Sequence, residues 1–269
     1  MDITERSSLP TSGSPDPLFP TVPAHHFLSG LFACALPGHP DVLLYCASYN
    51  AMHYSEALFD DMAIPRPQHL GQAVRKRRAE YLASRAVVRC ALQRWGADDY
   101  ILGNGPQREP LWPEGIRGSL SHTHQRISLL LTRTDSGKQP GVDCERLLLP
   151  GKAEALQERI IHPAERKILQ HSGLSFATGL TAAFSVKESL YKALYPQLGQ
   201  FMSFREATIV HSSPGAEQMI VRLTRHFSSA FEAGREFSGG VRHSESELLS
   251  WVVVNLCRDG PTSCQTLSA

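Results

Sequence analysis

The chain has 269 residues, 42% of them apolar and 20% charged, with 20 Gly and 18 Pro. That composition is ordinary for a globular protein and excludes a collagenous, mucin-like or largely disordered one. The 27 Lys and Arg nearly cancel the 26 Asp and Glu, leaving +1, so the chain does not coat polyanions, nucleic acid is not an expected partner, and any basic site is local.

Residues 1–23 carry six Ser or Thr before Pro15, with prolines at 10, 15, 17, 20 and 23. Such a segment cannot bury a core and is expected to be a flexible arm, as is the tail 259–269. The start lacks a basic region and leads into only a short apolar run, Phe27 to Leu36, which is not a secretory leader. No stretch reaches the roughly 18 apolar residues of a membrane span. Cys34, Cys46, Cys90, Cys144, Cys257 and Cys264 form no CxxC pair and read as reduced thiols in a cytoplasmic protein. Strands are predicted at 42–49, 127–132, 208–211 and 251–256, where β-branched and aromatic residues run between turn residues. Helices are predicted at 72–95, at 152–171 with Pro163 interrupting, and at 178–195 with Pro196 as the stop. The stretch Asp135 to Pro140 reads as a linker. It divides the folded part into an N-terminal lobe, 24–138, and a C-terminal lobe, 139–258, in an α+β architecture.

Two segments carry chemistry. In Gly141-Val142-Asp143-Cys144-Glu145, an extended backbone puts Asp143 and Glu145 on one face and Cys144 on the other. Two carboxylates aimed at one spot suit a hard cation such as Mg²⁺, although a solvated acidic strand end has the same pattern. In Phe184-Ser185-Val186-Lys187-Glu188-Ser189-Leu190-Tyr191-Lys192, Glu188 and Lys192 share a helix face, and Lys187 is turned about 100° away. A surface ion pair and a capping box at Ser185 are the bland alternatives. Residues 75–94 hold seven Lys or Arg and one acid, Glu80. On a helical wheel Arg78, Arg85 and Arg89 flank an apolar stripe of Tyr81, Val88, Leu92 and Trp95.

Taken together, Gly-Val-Asp-x-Glu followed by Phe-Ser-x-Lys-Glu-Ser-x-x-Lys resembles the signature of the 4'-phosphopantetheinyl transferases. The likeness is to their larger, monomeric type and its enterobactin-synthetase subfamily. Lys76 to Arg85, Arg108-Glu109-Pro110-Leu111-Trp112-Pro113 and Gly118-Ser119-Leu120-Ser121-His122-Thr123 resemble the family's upstream motifs, so the likeness runs from about residue 70 to 210. It implies a pseudo-twofold pair of similar lobes with coenzyme A in the cleft between them. It further implies transfer of the phosphopantetheine arm to a serine of apo carrier proteins in siderophore, nonribosomal peptide or polyketide synthesis, releasing adenosine 3',5'-bisphosphate. By the same resemblance Asp143, Glu145 and Glu188 hold Mg²⁺, and Arg108, Ser121, His122, Asp143, Lys187 and Lys192 contact coenzyme A; Arg78 and Arg85, on the basic flank of the first helix, are expected to add to them, a solvated face being the bland alternative. Ser121 and His122 take the 3'-phosphate of coenzyme A, and Glu188 and Lys192 are catalytic. An Mg²⁺-dependent nucleotide phosphohydrolase is the alternative, since it also needs three acids and basic residues; a noncatalytic carrier-binding module would not need the intact acids.

Overall fold

The structure, a computed structural model, describes residues 26–256, so the expected arm and tail lie outside the described residues. The first half is built from β1 (Leu28–Leu36), β2 (His39–Tyr49), a short α1 (Leu58–Asp61), α2 (Arg75–Gln93), a two-stranded ribbon of β3 (Gly103–Asn104) and β4 (Pro110–Leu111), β5 (Ile116–His122) and β6 (Arg126–Arg133). The second contains β7 (Lys138–Arg146), α3 (Pro150–Ile160), α4 (Pro163–Gln170), α5 (Phe176–Leu198), β8 (Ala207–Ser212), β9 (Gln218–Leu223), β10 (Glu236–His243) and β11 (Glu247–Asn255). Two antiparallel sheets result, in the orders β1-β2-β6-β5 and β7-β11-β10-β9-β8. The architecture is α+β, as expected.

Each sheet buries one face under a long helix. Val88 and Leu92 of α2 are fully buried in the first core, with Tyr81 and Trp95 packed beside them, so the apolar stripe read from the sequence is the buried one. Leu180, Val186, Leu190 and Leu194 of α5 are fully buried in the second core. A third cluster joins the sheets: Leu36, Val42, Leu44, Cys46 and Leu130 meet Val142, Cys144, Leu249 and Trp251. Cys144 therefore points away from the face of Asp143 and Glu145, as alternation requires.

Four predictions change. The first helix runs over Arg75–Gln93 rather than 72–95. Pro163 starts α4 rather than merely interrupting a helix, because a proline in the first turn lacks only an N–H that would have no partner. Pro196 does not stop α5, which continues to Leu198 and ends at Gly199 in the left-handed region, φ 59°. Residues 135–140 are not a linker: Thr134–Ser136 form one 3-10 turn, Gly137 adopts φ 68°, and β7 begins at Lys138.

The join between the sheets is specific. β5 and β7 are both edge strands, and an edge leaves backbone N–H groups unpaired. Here the alternating Ser119 and Ser121 of β5 accept from Val142 N (2.9 Å) and Cys144 N (3.3 Å) of β7. Side chains thus stitch two edges that share no ladder. Beyond this seam, Glu247 of β11 accepts from Thr123 Oγ1 (3.0 Å) and Arg126 Nε (2.9 Å) at the tip of the β5–β6 hairpin.

Candidate active site

Gly141 decides how closely α5 lies on β7. A Cβ there would overlap the Ser189 carbonyl oxygen and come within 2.7 Å of Ala193 N, so only glycine permits the contact. With the helix seated, Ser185, Glu188, Ser189 and Lys192 lie over the Asp143 face of the strand. Asp143 is 3% exposed. Its Oδ1 accepts from Ser121 Oγ (2.9 Å) and Lys192 Nζ (2.7 Å), and its Oδ2 from Ser185 Oγ (2.8 Å). Lys192 Nζ also donates to Val142 O and Ser121 Oγ, both at 3.1 Å.

Glu145 and Glu188 stand half-buried beside this group. Burial pushes Glu145 up to about 7, and the charges of Asp143 and Glu188 push the same way while Lys192 opposes them. Burial also raises Glu188, with Lys192 opposing and Asp143 adding to the rise. For Lys192 burial works against the charge, but the field and hydrogen bond of Asp143 outweigh it and hold the ammonium above its ordinary range. Among the described residues no three His, Cys, Asp or Glu side chains form a ready-made metal cluster. The donor set nevertheless fits a hard divalent cation. It is all oxygen, its acids disfavour one another's charge, and Asp143 is held by Lys192 rather than by a second carboxylate's proton.

Several expected contacts of coenzyme A fall elsewhere. Lys187 is 1% exposed and turned into the second core, where it pairs with Glu165 (2.7 Å) and donates to Ile160 O (2.8 Å) and Phe204 O (3.1 Å). A helix places residue 187 about 100° from 188, so the same turn that aims Glu188 at β7 buries Lys187; it is not a phosphate contact here. Ser121 gives its only proton to Asp143 and has none left for a phosphate. Arg78 pairs with Glu56 (2.8 Å). Arg85 is buried over the Tyr81 ring (4.4 Å) and donates to Leu102 O (3.1 Å), Ser84 Oγ and Asn104 Oδ1. Arg89 donates to Met62 O and Ala63 O, both at 3.1 Å. The flank of α2 thus reads mostly as scaffold.

His122 lies on the other face of β5 from Ser121. Burial lowers its pKa; Glu80 opposes that, while Arg77, Lys192 and Arg85 reinforce it. The charges of two α2 arginines, Arg77 and Arg85, thus bear on His122, and Arg77 is itself paired with Glu80 at 3.5 Å. Two residues escaped the sequence reading. Spacing alone marks Ser185 as no more than a cap, and Ser250 stands alone among apolar neighbours in Leu248–Val254, a pattern that signals a buried hydroxyl needing a partner.

A groove of about 670 Å³ runs from Lys192 and is lined by residues of β4, β5, β7 and α5. Trp112, Leu120, Tyr191 and Tyr195 give it aromatic and apolar walls, and Arg108 is at its rim. Arg108 is exposed and adopts φ 67°, a conformation unusual outside glycine.

The profile of the 4'-phosphopantetheinyl transferase N-terminal domain matches residues 66–130, and that of the 4'-phosphopantetheinyl transferase superfamily matches residues 139–243. Enterobactin synthase component D of Salmonella typhi is 37% identical over 166 residues, covering 62% of this chain and 67% of that protein. The component D of Escherichia coli O157:H7 is 38% identical over 151 residues, 56% of this chain and 69% of its own. The 4'-phosphopantetheinyl transferase PptT of Mycobacterium tuberculosis is 28% identical over 166 residues, 60% and 72% of the two chains. The two profiles lie on either side of the Gly137 turn that joins the sheets, and with this extent of identity the chain belongs to the 4'-phosphopantetheinyl transferase superfamily.

Proposed function

We propose that the protein moves the phosphopantetheine arm of coenzyme A to a serine of apo carrier domains serving siderophore or nonribosomal peptide synthesis, and that Asp143, Glu145, Glu188 and Lys192 carry the step. The supporting observation is the meeting of one strand of each sheet and α5 at Asp143, with Glu145 and Glu188 beside it and Lys192 lining the groove.

Asp143, Glu145 and Glu188 would hold Mg²⁺. When bound, the ion supplies a Lewis acid that stabilises charge on the pyrophosphate oxygens. The remaining work falls to the chain. Lys192, fixed by Asp143 and the Val142 carbonyl, presents a preorganised positive charge to the phosphates. Glu188, half-buried beside Asp143, takes the proton from the carrier serine. The aromatic groove takes the pantetheine arm, and Arg77 with His122 takes the nucleotide phosphate at the other side of β5.

The test is the mass of an apo aryl-carrier domain incubated with the protein, coenzyme A and Mg²⁺. Gain of one phosphopantetheine arm, abolished by EDTA, is the expected result. Hydrolysis of coenzyme A with no change in the carrier supports the phosphohydrolase instead.

A further inference from the structure

Three serines lie behind Asp143, each fully buried: Ser185 and Ser189 on α5, and Ser250 on β11. Ser185 and Ser189 are four apart and so share a helix face, and Ser250 stands opposite Asp143 in the β7–β11 register. Ser185 Oγ is 2.8 Å from Asp143 Oδ2 and 2.8 Å from Ser250 Oγ; Ser250 Oγ is 2.8 Å from Ser189 Oγ. Ser189 Oγ is also 3.2 Å from Ser250 O.

Counting protons gives this row a direction. A serine hydroxyl has one proton to donate, and an ionised carboxylate only accepts. Ser185 therefore donates to Asp143. Its contact with Ser250 must then be a donation from Ser250, whose own proton is spent. The contact between Ser189 and Ser250 is filled from Ser189, which shares its proton with the Ser250 carbonyl. All the O–H dipoles along the row point toward Asp143, and such chains polarise one another. In reaching out this way, Ser185 and Ser189 forgo the bond to the preceding turn that helical serines often make.

We propose that Ser189, Ser250 and Ser185 form a one-way hydroxyl chain that fixes the Asp143 carboxylate in the orientation that receives a divalent cation. Ser185 and Ser250 are positioning residues, acting only through Asp143. The chain holds Oδ2, which leaves Oδ1 directed at Ser121 and Lys192 on the groove side. The inference rests on the assignment of Asp143 as a metal ligand made above.

The experiment is a titration of the full-length protein with Mn²⁺ in the presence of adenosine 3',5'-bisphosphate, reading free Mn²⁺ by electron paramagnetic resonance. The variants are Ser185→Ala, Ser250→Ala, Ser189→Ala, Ser185→Thr and Asp143→Asn. Losing an outer-shell partner typically weakens metal binding by about tenfold or more. Ser185→Ala is expected to show that loss, Ser250→Ala a smaller one and Ser189→Ala the smallest, and Ser185→Thr, which keeps the donor, is expected to restore binding. Each alanine removes one fully buried hydroxyl, so a purely structural role would lower the melting temperature alike in all three and leave Mn²⁺ affinity unchanged; that result overturns the chain. Asp143→Asn separates the two readings. If it binds Mn²⁺ like the parent, the metal assignment fails and the chain with it; if it loses binding while the serine variants keep theirs, only the chain fails.

Discussion

At the scale of single residues, neighbours with opposite assignments differ by one step of backbone. Glu188 faces β7 while Lys187 is buried against Glu165; Ser121 faces Asp143 while His122 faces α2. Lys187 supplies a direct check. Its burial lowers its pKa, with Glu165 opposing, and Glu165 also accepts from His162 N and Ile209 N. Lys187→Ala leaves a buried carboxylate without its counter-ion and is expected to cost about 3 to 5 kcal/mol in denaturant unfolding. Under conditions where the variant stays folded, its KM for coenzyme A is expected to match the parent's, and a large rise in KM at intact stability would return Lys187 to the phosphates. His122 gives a pH prediction. Burial, reinforced by the charges of Arg77, Lys192 and Arg85 and opposed by Glu80, holds its pKa below the usual histidine value, so it is mostly neutral at pH 7 in the free protein. A docked phosphate favours the charged ring and raises that pKa. Binding adenosine 3',5'-bisphosphate should therefore take up a fraction of a proton and weaken as pH rises. Calorimetry in buffers of different ionisation heat measures the uptake, which His122→Gln should abolish.

At the scale of elements, the site depends on how α5 seats on β7. Gly141→Ala forces the helix away from Asp143. Overpacking of this kind costs about 1 to 3 kcal/mol, and the rate is expected to fall further than that cost implies, because Ser185 and Lys192 move with the helix. Melting and turnover of the variant check both. The motif serving this seat was legible in the sequence: the alternation in Gly141 to Glu145 and the spacing of Glu188 and Lys192 already put the right side chains on the right faces. The β5–β7 seam was not legible. No strand is predicted over Gly118, Ser119 and Ser121, whose strand propensity is low, yet they lie in β5, where the two serines satisfy the edge of β7, a contact made by tertiary structure. Pro196 misled for a related reason. A proline lacks an N–H and its ring crowds the preceding turn, but Pro196 sits in the last turn of α5, which runs on to Leu198 before Gly199 ends it. On α2 the apolar stripe was legible, but the partners of its arginines were not, since periodicity gives a face and says nothing of Glu56 or the Leu102 carbonyl beside it.

At the scale of the whole molecule, the two sheets share a core and a polar clamp, so the cleft is not a gap between independently hinged parts. Trp251 is 6% exposed within the shared cluster. Trp251→Ala is expected to cost about 3 to 5 kcal/mol, and both halves should melt in one transition, seen by following a probe in each sheet; separate transitions in the parent protein would contradict the shared core. This rigidity suits catalysis by positioning, in which Asp143 must sit between a strand of each sheet and a helix before any substrate arrives. The transfer assay with Glu188→Gln bears most directly on that picture, because the substitution removes a charge and a base with little change in shape. The apo carrier should remain unmodified with coenzyme A and Mg²⁺, while the melting temperature holds or rises as mutual repulsion with Asp143 and Glu145 is relieved. Carrier modified at the parent's rate by a folded Glu188→Gln protein would contradict it.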